Sequence, residues 1–271
     1  MSLSNKTLDH GMPIIEQIQE SMAAIRKSPA EARHRVALAQ LYMASREWQK
    51  AVAQLECAAT LSPACIPLAG AYTQAIECEQ LREKVLSGER SPEMFETAPG
   101  WLATLLSALH ALAKGDSVKA ADLRERAFDE AEVCAVEIND EPALWLADAD
   151  SRLGPVCELF VEGKYHWVPF SDISMLEADA PQDLRDLFWL PCHVKMRDGR
   201  SFSALMPCRY PGQCTTESDD ILLCRRTEWV DAGEGGWVGA GQKLLITDKG
   251  EYSMLALRSL VNQDACLSLK E

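Results

Sequence analysis

The sequence predicts an α+β protein in two parts: helical hairpins first, then a small antiparallel β unit, sheet or barrel. Three observations carry that expectation. Apolar residues recur at helical spacing through residues 13–137, and alanines in this part repeat at a fixed offset. After Gly154-Pro155 the apolar residues fall instead into short runs broken by hairpin turns. With 271 residues, 47% of them apolar, the chain is long enough for two cores. We place a helical unit at 12–140 and a β unit at 150–265, with the boundary near 140–155.

Taken in order, Pro13 suits a first helical turn, and Ile14, Ile18, Met22 and Ile25 then share one face. Ser28-Pro29 opens the next element. Helices at about 30–44 and 47–61 carry Leu38, Ala39, Tyr42, Ala51, Leu55, Ala58 and Pro63 at tetratricopeptide spacing. Small residues are needed there because antiparallel helices approach closely only where side chains are short. Ala39, Ala51 and Ala58 recur as Ala108, Ala120 and Ala127, and Gly115-Asp116 supplies the turn of the later hairpin. A degenerate unit from Pro67 to Leu86 fits between the two copies. An irregular insert, Gly88 to Gly100, carries Pro92 and Pro99.

In the second part, Val156–Val161 and Tyr165–Val168 flank Glu162-Gly163, while Cys192–Met196 and Ser201–Met206 flank Asp198-Gly199. Leu244–Thr247 and Tyr252–Leu257 flank Asp248-Lys249-Gly250-Glu251, and Pro181 to Leu187 can form one helical turn.

Charge and composition exclude several functions. The net charge of −14 opposes binding to nucleic acid or to anionic membranes, both of which need a basic surface. The polar start, Met1 to Gly11, is unlike a signal peptide, and the run Trp101 to Ala113 is too short to span a bilayer, so a cytoplasmic protein is expected. Its ten cysteines should then be reduced, and no Cys-x-x-Cys pair signals zinc or redox chemistry.

No catalytic signature emerges, and we expect neither enzyme activity nor a cofactor or metal. His166 near Ser171 and Asp172 lacks the setting of a hydrolase triad, and is read as a partly exposed strand histidine. Cys192, His193, Cys208, Cys214 and Cys224 fit no common zinc module. Asp148-Ala149-Asp150 departs from a calcium loop at its third acidic position, Arg152, and reads as an inter-domain cap. Gly239-Ala240-Gly241-Gln242-Lys243 lacks phosphate-loop spacing.

The distinctive strings are Asp150-Ser151-Arg152-Leu153-Gly154-Pro155, Tyr165-His166-Trp167-Val168-Pro169-Phe170, Leu184-Arg185-Asp186-Leu187-Phe188-Trp189-Leu190-Pro191, Arg209-Tyr210-Pro211-Gly212 and Arg225-Arg226-Thr227-Glu228-Trp229. Gly154-Pro155 permits a sharp change of direction, and Asp150 and Arg152 can pair across the turn or hold the two domains together. Trp167, Trp189 and Trp229 are core anchors or partner anchors. Arg185 and Asp186 can form a local pair, and Arg209, Arg225 and Arg226 offer bidentate donors. In a strand, Arg225 and Arg226 would point to opposite faces.

Together these strings, in this order, resemble the ImpE family (also SciE or TagJ) of type VI secretion, most densely after Asp148. The segment Gln213–Asp220 and several cysteines depart from the family's usual form. The resemblance implies a cytoplasmic accessory protein whose partner is the small subunit of the contractile sheath, bound through a helix near that subunit's N-terminus. It also implies an indirect link to the AAA+ ATPase that recycles the sheath. A tetratricopeptide-like array offers a groove for such a helix, and repeat position places Arg33, Val36, Gln40 and Met43 along it. The alternative is a general peptide-binding co-chaperone outside secretion.

Overall fold

The computed structural model describes residues 11–95, 98–212 and 218–263. Six helices come first: α1 (Ile14–Lys27), α2 (Ala32–Ala44), α3 (Trp48–Leu61), α4 (Ile66–Leu86), α5 (Gly100–Ala113) and α6 (Ser117–Glu130). Helix α1 packs on α2, α2 on α3 and α3 on α4, and α5 pairs with α6. The alanine offset is real packing: Ala39, Ala51, Ala58, Ala108, Ala120 and Ala127 are all buried where helices approach. Asp116 caps α6 by accepting from the Lys119 amide at 3.2 Å.

Two details differ from the sequence reading. Ile14, Ile18 and Ile25 are buried on α1, but Met22 is 38% exposed. This helix ends the array and packs mainly on α2, so its apolar stripe is narrower. Pro67 to Leu86 is one continuous helix with proline in its first turn, because the proline-interrupted stretch after it cannot supply a second. The stretch instead lays Glu93 along a sheet edge, where its amide donates to the Tyr165 carbonyl at 2.8 Å.

Strands begin at Val136. They are β1 (Val136–Ile138), β2 (Glu141–Ala143), β3 (Leu146–Asp148), β4 (Val156–Val161), β5 (Lys164–Pro169), β6 (Ile173–Ala178), β7 (Trp189–Met196), β8 (Ser201–Pro207) and β9 (Arg209–Tyr210). A short helix, α7 (Asp219–Leu222), precedes β10 (Thr227–Asp231), β11 (Trp237–Gln242), β12 (Leu244–Thr247), β13 (Gly250–Ser253) and β14 (Ser259–Asn262). All the hairpin turns named above form, at β4–β5, β7–β8 and β12–β13.

The main sheet is antiparallel, with order β2-β1-β14-β6-β7-β8-β4-β5. Its two ends are different strands, so it is open; the barrel alternative is corrected. Smaller sheets, β10-β11-β9 and β13-β12-β3, complete the fold.

Strand β4 is buried along its whole length because both faces of the sheet are covered there. Val156 and Phe160 join the core shared with the helices, whereas Cys157, Leu159 and Val161 join a second core on the opposite face. The two parts of the chain are thus packed on each other through the sheet.

Gly154 fixes the entry to β4. Its φ is +54°, and a Cβ there would lie 2.4 Å from the Phe128 ring of α6. Gly154→Ala should therefore cost about 2–3 kcal/mol in urea unfolding. Gly199→Ala, also at positive φ but facing open space, should cost only about 1 kcal/mol.

Candidate functional site

Where the helices meet the sheet, ionisable groups are enclosed that the apolar pattern did not disclose. Arg82 of α4 is fully buried. Its Nε and Nη2 donate to the two carboxylate oxygens of Glu158 on β4 at 2.7 and 2.8 Å. Nη1 donates to Glu79 one turn earlier and to the Arg209 carbonyl, each at 2.8 Å. The network continues in both directions. Trp189 Nε1 donates to Glu79 at 2.9 Å, and Tyr165 donates its hydroxyl to Glu158 while accepting from Trp167 Nε1 at 2.6 Å. Lys243 bridges Glu158 and Asp148, and Asp148 also accepts from the Tyr210 hydroxyl at 2.9 Å.

Burial alone would neutralise such groups; their partners decide otherwise. For Glu158 burial raises the pKa, but Arg82 and Lys243 outweigh it and hold the carboxyl well below its ordinary range. Burial lowers Lys243 and Arg82, yet facing carboxylates hold both above their ordinary values. Asp148 moves the other way: burial raises it and Lys243 only partly offsets this. Glu158, with two cations, is the fixed charge of the site.

The resemblance-bearing residues converge here. Asp150 accepts from Arg152 Nε and Nη2 at 2.9 and 2.6 Å, and from the Gly239 amide at 2.9 Å. Of the two alternatives read from the sequence, the local pair forms, with both residues on the N-terminal side of Gly154-Pro155. Tyr210 lies so close to Gly239 that a Cβ there would sit 2.3 Å from its ring. Arg209 donates to the Ala44 and Met43 carbonyls at 2.8 and 3.2 Å, satisfying the C-terminal end of α2, and to the Leu222 carbonyl at 2.7 Å. Trp189 reaches into the helical array and stacks on Trp48 of α3 and Tyr72 of α4, with centroids 6.3 and 6.1 Å apart. Trp167 and Pro169 are buried on β5, and Pro155 leads into β4.

The turn Leu184–Leu187 has Asp183 and Asp186 as a reciprocal cap. Arg185 pairs with Asp183 at 2.7 Å, closer than Asp186 at 3.5 Å, and lies over the Tyr72 ring. Trp229 is half-buried against Tyr210. Arg225 is exposed beside Asp220 at 3.4 Å and belongs to a different region. It and Arg226 precede β10 and are both exposed, so the expected alternation across a strand is corrected.

Among the groove residues, Arg33 is exposed and pairs with Glu31 at 3.4 Å, whereas Val36, Gln40 and Met43 are buried. The Leu184–Leu187 turn packs on α2, and Arg209 binds its end. A charge at Val36 or Met43 would therefore disturb the fold before any binding surface.

His166 is buried, a correction to the partly exposed reading: it stacks on Phe95 at 5.0 Å, with Nδ1 3.1 Å from the Lys164 carbonyl. Ser171 presents its carbonyl to Arg197 and Asn262. Cys192, Cys208 and Cys224 are buried, and burial pushes the Cys224 thiol up to about 12. Cys214 lies outside the described residues, as does the end of the β unit expected at 265.

Arg82, Glu79, Glu158 and Lys243 were missed by sequence reasoning. One signal was present: Glu158 is a lone charge inside the apolar strand run Val-Cys-Glu-Leu-Phe-Val. Beside this buried joint, a cleft of about 740 Å³ opens between α4 and the sheet. Ala75, Cys78 and Phe160 line its depth, and Glu162, Glu177, Asp179, His193 and Arg258 stand among its walls.

Fold and site define a two-part scaffold, helical hairpins locked onto an antiparallel sheet by buried ion pairs. Residues 140–261 match the family profile described as ImpE protein. The chain is 40% identical over 236 residues to the type VI secretion system accessory component TagJ of Pseudomonas aeruginosa, covering 87% of this chain and 83% of that protein. This chain belongs to the ImpE family. A crystal structure of protein VPA1032 from Vibrio parahaemolyticus has the same fold, with a TM-score of 0.83 at 23% identity over 92% of this chain and 93% of that one.

Glu158→Gln should lower stability at neutral pH by about 3–5 kcal/mol, because Arg82 and Lys243 lose a buried counter-charge. The parent carboxyl titrates below its ordinary 4.5 when folded. Its contribution is then complete above pH 4.5 and lost as pH falls. Asp148, shifted upward, opposes this in part. Urea unfolding between about pH 6 and pH 3 should show a shallower acid loss for Glu158→Gln than for the parent.

Proposed function

We propose that this protein is a cytoplasmic, non-enzymatic accessory component of a type VI secretion system. It binds a helix near the N-terminus of the small sheath subunit and acts in sheath recycling, with the AAA+ ATPase as an indirect partner. The observation that carries this reading is the 40% identity to a TagJ protein over 87% of this chain and 83% of that one. The architecture supports it. A sheet pinned to helical hairpins by buried ion pairs is a rigid frame, and rigid frames present binding surfaces at low entropic cost. Among the described residues, no helix is long and apolar enough to cross a membrane.

Titration calorimetry with a synthetic peptide spanning the N-terminal helix of the small sheath subunit is the test. Saturable binding, absent with a sequence-scrambled peptide, is expected. Absence of binding to both the peptide and the intact subunit would overturn the reading.

A further inference from the structure

The sheet face that meets the helices is only partly covered. Trp189 and Phe160 lie beneath α3 and α4, but the same face continues past the edge of α4 with Glu177, His193 and Ser203, directly opposite one another across β6, β7 and β8. All three are exposed. The cleft lies at this step, with α4 as one wall and the uncovered strands as floor. In a layered fold, the space beside a helix on a sheet is where a second helix packs.

Charge narrows the occupant. Glu162, Glu177 and Asp179 are exposed on the walls, and none has an ion-pair partner among the described residues. The one lining cation, Arg258, donates to the Leu257 carbonyl, and His193 bonds the Ser201 hydroxyl at 2.7 Å. Three uncompensated carboxylates attract a basic partner and repel a second copy of this chain, whose net charge is −14. Deeper in, Ala75 and Cys78 of α4 are small, so the occupant's backbone can approach closely.

We propose that the cleft between α4 and strands β6–β8 receives a partner helix with a small or apolar face flanked by basic side chains. This deepens the proposed function and rests on its reading that the partner is a peptide helix. The docked helix would extend the α4 layer across the bare face, its cations meeting Glu162, Glu177 and Asp179.

The test is fluorescence anisotropy with the labelled N-terminal peptide of the small sheath subunit, using the full chain. Ser203→Trp fills the cleft from its floor and Ala71→Trp from its wall, both at exposed positions. Glu177→Lys with Asp179→Lys reverses the rim charge. Circular dichroism reports folding, so either tryptophan variant suffices if the other is perturbed. Folded tryptophan variants should bind at least ~10-fold more weakly. Charge reversal should do likewise and flatten the salt dependence, whereas Glu234→Lys, exposed and away from the cleft, should bind like the parent. If the parent binds and the folded cleft variants match it, the cleft is not the site while the proposed function stands. If the parent binds neither the peptide nor the intact subunit, the functional reading fails and the cleft assignment with it.

Discussion

The bidentate pair between Arg82 and Glu158 is the constraint on which the rest of the structure depends. It joins a helix of the first part to a strand of the second, with no solvent at either side chain. Two such ions are stable in the interior only when further hydrogen bonds support them, and here Glu79, Tyr165, Lys243 and the Arg209 carbonyl supply these. Displacing α4 by an ångström would break several of these bonds at once. A purely apolar interface would tolerate such a slide. The network therefore supplies one docking geometry more than it supplies stability.

Around that pair, apolar packing and backbone satisfaction act together. Trp189 inserts between Trp48 and Tyr72 while its indole nitrogen anchors Glu79. Arg209 answers the carbonyl end of α2, a task that water would otherwise perform. Enclosing α2 in this way buries Val36, Gln40 and Met43, whereas the cleft beside the joint, between α4 and the sheet, is open.

Local physics was legible in the sequence, and long-range pairing was not. The alanine offset, the Glu162-Gly163 and Asp198-Gly199 turns and the direction change at Gly154-Pro155 each depend on residues close in the chain, and each forms. The Asp150–Arg152 pair was readable for the same reason. Arg82 meets Glu158 across 76 residues and Lys243 meets Glu158 across 85, separations that periodicity does not encode. Helical period can mark which face of α2 is apolar, but not whether a neighbouring helix, the Leu184–Leu187 turn or solvent covers it. Arg225 and Arg226 were misjudged because the strand begins only at Thr227. The resemblance-bearing strings, widely spaced in the chain, mostly meet at one buried joint.

Native-state hydrogen exchange across a urea series tests the central claim most directly, because it reports the opening of each element separately. If the Arg82–Glu158 network fuses the two parts, amides of α4, β4 and β5 will share one opening free energy and one urea dependence, close to those of global unfolding. Replacing Arg82 by Met should then lower protection on the helix and the strands together. Contradiction would be a parent in which α4 opens at low urea while β4 and β5 remain fully protected.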